Sequence, residues 1–93
     1  MKSNKEKAIF RSPDYIFSTH LNKRIEQRSI KMEWIIDTIE KPDITEKIAD
    51  DEVHFFKKII AFNKQFLKVV YNPITGIIVT AHFDRKITKK YIQ

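Results

Sequence analysis

The sequence predicts an α+β domain in two layers, with two N-terminal helices packed on one face of a three- to four-stranded antiparallel sheet. Two observations carry that expectation. Up to Pro42 the apolar residues recur at helical spacing, and beyond Asp43 they recur at strand spacing, in runs rich in aromatic and β-branched residues. The runs are separated by "NKQ" and "NPITG", connections of the length and composition that close hairpins.

Residues 1–13 are rich in Lys and Ser, lack periodicity and end at Pro13, so they read as a basic N-terminal tail ahead of a single domain over 14–93. Ser18 and Thr19 are N-cap candidates for a short helix over 20–28, in which Leu21 and Ile25 form a narrow apolar stripe. His20, Arg24 and Arg28 fall on the neighbouring stripe. After a break near Ser29 and Ile30, Met32, Ile35, Ile36 and Ile39 mark the apolar face of a second helix, which Pro42 ends. Trp34 lies off that face, where it either covers the first helix or meets a partner.

Residues 44–48 suit an edge strand, and Asp50 and Asp51 a turn. "VHFFKKIIAF" (53–62), "FLKVVYN" (66–72) and "IIVTAHF" (77–83) follow as strands. A symmetric NPITG turn would set Phe66 opposite His82, Lys68 opposite Thr80 and Val70 opposite Ile78. Leu67, Val69, Tyr71, Ile77, Val79, Ala81 and Phe83 would then share the face that takes the helices. Lys68, Thr80 and His82 would stand together on the other, wetter face, an arrangement that a slip of one residue would scramble. Residues 84–93 are too short and basic to assign.

The 93 residues suffice for one core, and their composition, 42% hydrophobic and 32% charged, is that of a globular chain. No apolar run reaches the roughly 18 residues of a membrane span, and the N-terminus lacks the apolar core of a signal peptide, so a cytoplasmic protein with no membrane partner is expected. Without cysteine there is no thiolate zinc site and no cysteine nucleophile, and three scattered histidines argue against a zinc site of other kinds. A single glycine, Gly76, rules out nucleotide-binding glycine loops. No metal or cofactor is expected.

The net charge of +6 is unevenly placed. Residues 1–31 hold eight Lys/Arg against three acids, residues 84–93 hold four against one, and Asp43, Glu46, Asp50, Asp51 and Glu52 lie between. Such segregation favours a polyanionic partner, since neutralising phosphates releases counterions whatever the sequence.

Two clusters suit phosphate chemistry. Arg24 and Arg28 offer guanidinium forks to phosphate oxygens, beside an imidazole, His20, able to move a proton. His82 follows Thr80, precedes Asp84 and Arg85, and is joined by Lys68 from the paired strand. Metal-free RNA cleavage needs a base for the 2′-hydroxyl, an acid for the leaving oxygen and cations for the developing charge. His54 and the pair Lys57–Lys58 read as surface residues. Phe55, Phe56, Phe62, Phe66, Tyr71 and Phe83 include candidates for base stacking, but a domain of this size needs most of them in its core.

The run His20-x-x-x-Arg24-x-x-x-Arg28-x-Ile30, then a helix ending in "EKPD", then "LKVVYN" and "GIIVTAHF", resembles a group of small bacterial domains of unknown function, distantly similar to the RelE and BrnT toxin ribonucleases. The resemblance covers about residues 18–85. Ser29 stands where the pattern usually has glycine. What it implies is a RelE/BrnT-like two-layer fold and a metal-independent endoribonuclease checked by an acidic antitoxin. His20 and His82 would then be acid and base, Lys68 a catalytic cation, and Arg24, Arg28 and Arg85 the phosphate contacts. The competing reading is a non-catalytic basic module that binds nucleic acid or an acidic protein.

Overall fold

The computed structural model describes residues 10–11 and 15–91. In chain order the elements are β1 (Phe10–Arg11), β2 (Ile16–Phe17), α1 (Thr19–Arg28), α2 (Met32–Glu40), β3 (Ile44–Ala49), β4 (Glu52–Ile59), β5 (Gln65–Asn72), β6 (Ile77–Phe83) and α3 (Arg85–Tyr91). Among the described residues the strands form one six-stranded sheet, ordered β1-β2-β6-β5-β4-β3. The α+β class is as expected, but the sheet is larger than three or four strands and is mixed, because β2 runs parallel to β6. Two-residue strands carry no alternation to read, which is why β1 and β2 leave no mark in the sequence. Apart from the backbone of Phe10–Arg11, which pairs with β2, the expected basic tail over 1–13 lies outside the described residues.

Local chemistry accounts for both main helices. The Ser18 hydroxyl accepts the Leu21 N–H at 3.0 Å and so caps α1. Ser29 ends it in the left-handed conformation (φ 56°, ψ 35°), with Ile30 N–H returning to the Ile25 carbonyl at 3.2 Å. In α2, Thr38 is fully buried yet satisfied, its hydroxyl donating to the Trp34 carbonyl at 2.7 Å.

Leu21 and Ile30 from the α1 region and Ile35 from α2 meet Ile59, Leu67, Val69, Ile78, Ala81 and Phe17 in one core on a single face of the sheet. At its far end Phe62 and Phe83 stack at 4.3 Å, and Trp34 closes over both at 5.9 and 6.1 Å. Trp34 therefore covers the far end of the core beside β6, which is neither the first helix nor a partner, the two uses expected of it. The third helix corrects the one-sided layer. Thr88 of α3 accepts the Phe66 N–H at 2.9 Å and Tyr91 lies 5.8 Å from the Phe66 ring, on the face opposite Leu67. There Phe56 and Phe66 are buried at 3% and 4% exposure, so the two aromatic residues form a second apolar patch and no open stacking platform.

The last hairpin departs from the symmetric register in two steps. Gly76 (φ 77°) stays in the turn, where its N–H meets the Asn72 carbonyl at 2.8 Å, so Asn72 pairs with Ile77. Val79 is then left unpaired at a bulge, and Lys68 pairs with His82 and Val70 with Thr80. Each step moves the register by one residue and inverts the faces; together they restore them. Lys68, Thr80 and His82 keep the shared face expected of them, with new neighbours. Between the steps the assignment reverses: Ile78 is fully buried in place of Ile77, and Val79 is 41% exposed.

Candidate functional site

Pairing across the sheet lays out the face opposite the main core. One row reads Phe56, Lys68, His82, and the next His54, Val70, Thr80. Directly opposed residues have Cβ atoms about 5 Å apart, so Lys68 flanks the imidazole of His82 on the β5 side. The Lys68 amine also lies over the Phe56 ring, 6.0 Å from its centre.

The other flank comes from α1, which runs beside the edge of β6. β2 pairs with β6 only at Ile77 and Ile78. Beyond it the Ser18 hydroxyl donates to the Val79 carbonyl at 3.1 Å and Arg28 Nη1 donates to the Ala81 carbonyl at 3.1 Å. Helix geometry explains why Arg28 is the stripe member that arrives. At about 100° per residue, each step of four drifts about 40° round the helix, so Arg28 points within about 20° of the buried Leu21 and His20 about 100° away. His20 is accordingly exposed, and its Nε2 accepts from Arg24 Nε at 3.3 Å.

His82 titrates below the ordinary histidine value of 6.5. Partial burial is the largest cause, followed by the charges of Lys68 and Arg28; Asp84 opposes them and His54 adds a smaller push in the same direction. The ring is therefore neutral, and able to accept a proton, over more of the range below pH 7 than a free histidine. Asp84 is also structural: its Oδ1 accepts the Ile87 N–H at 2.9 Å and its carbonyl accepts the Thr88 hydroxyl at 2.7 Å, which starts α3.

Of the residues singled out in the sequence, the fold thus gathers Lys68, His82 and Arg28. His20 and Arg24 are paired with each other on α1, and Arg85 is exposed at the first position of α3. His54, read from sequence as a surface residue, belongs to the same face. Its side chain is 14% exposed and its Nε2 lies 2.7 Å from Glu52 Oε2. The period of two along His54, Phe56 and Lys58 was the available signal, because it ties His54 to a face whose next position is buried. Among the described residues no group of three or more His, Asp or Glu side chains stands where it could hold a metal ion, and no helix is long and apolar enough to cross a membrane.

No curated protein and no solved structure matches the chain. A family model does, over residues 17–83, from β2 to the end of β6, a span that holds Arg28, His54, Lys68 and His82. The chain belongs to that family, described as a domain of unknown function (DUF4258).

Proposed function

We propose that this domain is a metal-independent endoribonuclease of the toxin type. The observation that carries the reading is the pairing of Lys68 opposite His82 together with the bond of Arg28 to the neighbouring Ala81 carbonyl, which puts a cation on either side of the imidazole on a half-open sheet face. His82 takes the proton of a ribose 2′-hydroxyl. Lys68 and Arg28 draw the phosphate in and offset the charge that grows on its oxygens as the 2′-oxygen attacks. Arg85, exposed at the head of α3 just past His82, adds a further phosphate contact. The partner that restrains such a toxin is an acidic protein, complementary to a chain of net charge +6. The likeness to the RelE and BrnT enzymes belongs to the same proposal; the helices layered on the antiparallel β4–β5–β6 meander are what supports it.

The test is incubation of the purified protein with mixed-sequence RNA in EDTA, following 2′,3′-cyclic phosphate ends. Cleavage should persist in EDTA, disappear in His82→Ala, and fall about 10²- to 10³-fold in Lys68→Ala, the scale on which single charge-stabilising groups act. The exposed basic positions of α3, Arg85, Lys86, Lys89 and Lys90, favour a second reading, a non-catalytic nucleic-acid-binding module. Salt-sensitive RNA binding without cleavage would establish that one instead.

A further inference from the structure

Cleavage by this route needs a proton donor on the far side of phosphorus from the base, because the entering and leaving oxygens stand roughly in line. His20 is badly placed for it, since it is exposed on α1 about 100° round the helix from the buried Leu21 and turned away from the sheet face that carries His82. His54 answers the geometry. It shares the face of His82, one row along and two strands across, with β5 between them. Two strand spacings and one row put the two backbones about 12 Å apart, which leaves room for one phosphodiester between the side chains.

The surroundings of the two imidazoles are opposite in charge. His82 faces Lys68 of β5, Arg28 of α1 and Asp84 at the start of α3. His54 bonds Glu52 on its own strand at 2.7 Å, has Glu46 directly across on β3, and faces Val70 on β5 and, beyond it, Thr80 on β6. A carboxylate on Nε2 fixes the ring's orientation and tautomer and leaves Nδ1 for other work.

We infer that His54 is the proton donor of the site and that Glu52 is the residue that positions it. The inference rests on the ribonuclease reading. In the reaction the 2′-hydroxyl proton passes to His82 as the O2′–P bond forms, the P–O5′ bond breaks, and the proton on His54 Nδ1 passes to the departing O5′. The products are a 2′,3′-cyclic phosphate and a 5′-hydroxyl end. His82 finishes protonated and His54 neutral, and exchange with water resets both.

The experiment compares two substrates: an RNA dinucleotide, whose alkoxide leaving group needs a proton, and a uridine 3′-(4-nitrophenyl phosphate), whose phenolate leaves without one. On the dinucleotide, His54→Gln should fall about 10²- to 10⁴-fold, the usual contribution of general acid catalysis. It should also lose the decline in rate at alkaline pH that an acid imposes. On the nitrophenyl ester it should retain nearly the parent rate, which also shows that the variant is folded. His82→Gln should fail on both, and Glu52→Gln should repeat the pattern of His54→Gln in weaker form. Equal losses on the two substrates in His54→Gln would overturn the assignment, as would an alkaline limb that survives there and vanishes in His20→Gln. Parent protein inactive on both would overturn the ribonuclease reading and this inference with it; activity lost only through His82 would leave the reading standing without His54.

Discussion

Arg28 donates to the carbonyl of Ala81 at 3.1 Å, and that bond brings a cation on α1 to the edge of the strand that carries His82. It reconciles a helix whose apolar stripe enters the core with a site on the other face of the sheet. The helix stays on its own side, and one long side chain reaches the rim. The guanidinium holds a strand-edge carbonyl and biases the neighbouring imidazole at the same time.

That bias is directly measurable. Since Lys68 and Arg28 both disfavour the protonated ring, Lys68→Met or Arg28→Met should raise the pKa of His82, and Asp84→Asn should lower it further. Titration of the histidine Cε1–H resonances by NMR reads all three. An unchanged His82 resonance in Lys68→Met would show that the two side chains do not face one another.

Stability should carry the same signature. A histidine with a depressed folded pKa binds fewer protons in the native than in the unfolded chain, so its contribution is full above the unfolded value of 6.5. It is lost as pH falls from there through the folded pKa and is flat below that. Urea unfolding across pH 5 to 7.5 should show this slope in the parent and a shallower one in His82→Gln. Equal slopes would mean that the ring is as solvated in the fold as outside it.

Ser29 holds a left-handed backbone conformation that costs a side-chain-bearing residue about 1–2 kcal/mol, part of which glycine returns through its freer unfolded state. Ser29→Gly should therefore stabilise the domain by about 1 kcal/mol, which for a domain of this size raises Tm by about 4–8 °C. A calorimetric scan decides it, and a lower Tm would contradict the cap geometry.

The bulge at Val79 makes a prediction that the symmetric hairpin does not. Ile78 is fully buried and Val79 substantially exposed, so Ile78→Ala should cost about 2–5 kcal/mol and Val79→Ala well under 1 kcal/mol. The symmetric register expects the reverse order. Chemical unfolding of the two variants separates them.

Much of this protein is legible in its residues one stretch at a time. The change of period at Pro42, the Ser18 cap and the shared face of Lys68, Thr80 and His82 all follow from local rules. They rest on interactions within a few residues or on alternation along one strand. That His82 shares its face with Lys68 survived an error in register only because two one-residue shifts, at Gly76 and Val79, cancel in parity.

What the tertiary structure decided is which of these pieces meet. Sequence spacing makes His20, Arg24 and Arg28 look equivalent, yet the drift of about 40° per step sends only Arg28 toward β6, and no periodicity says which side of a sheet edge a helix will occupy. The parallel pairing of β2 with β6, the docking of α3 behind Phe66 and the position of His54 beside the site depend on contacts between residues far apart in the chain. Strand alternation assigns a residue to a face, but only the pairing of whole strands selects its neighbours on that face, and here those neighbours set the charge around His54 and His82.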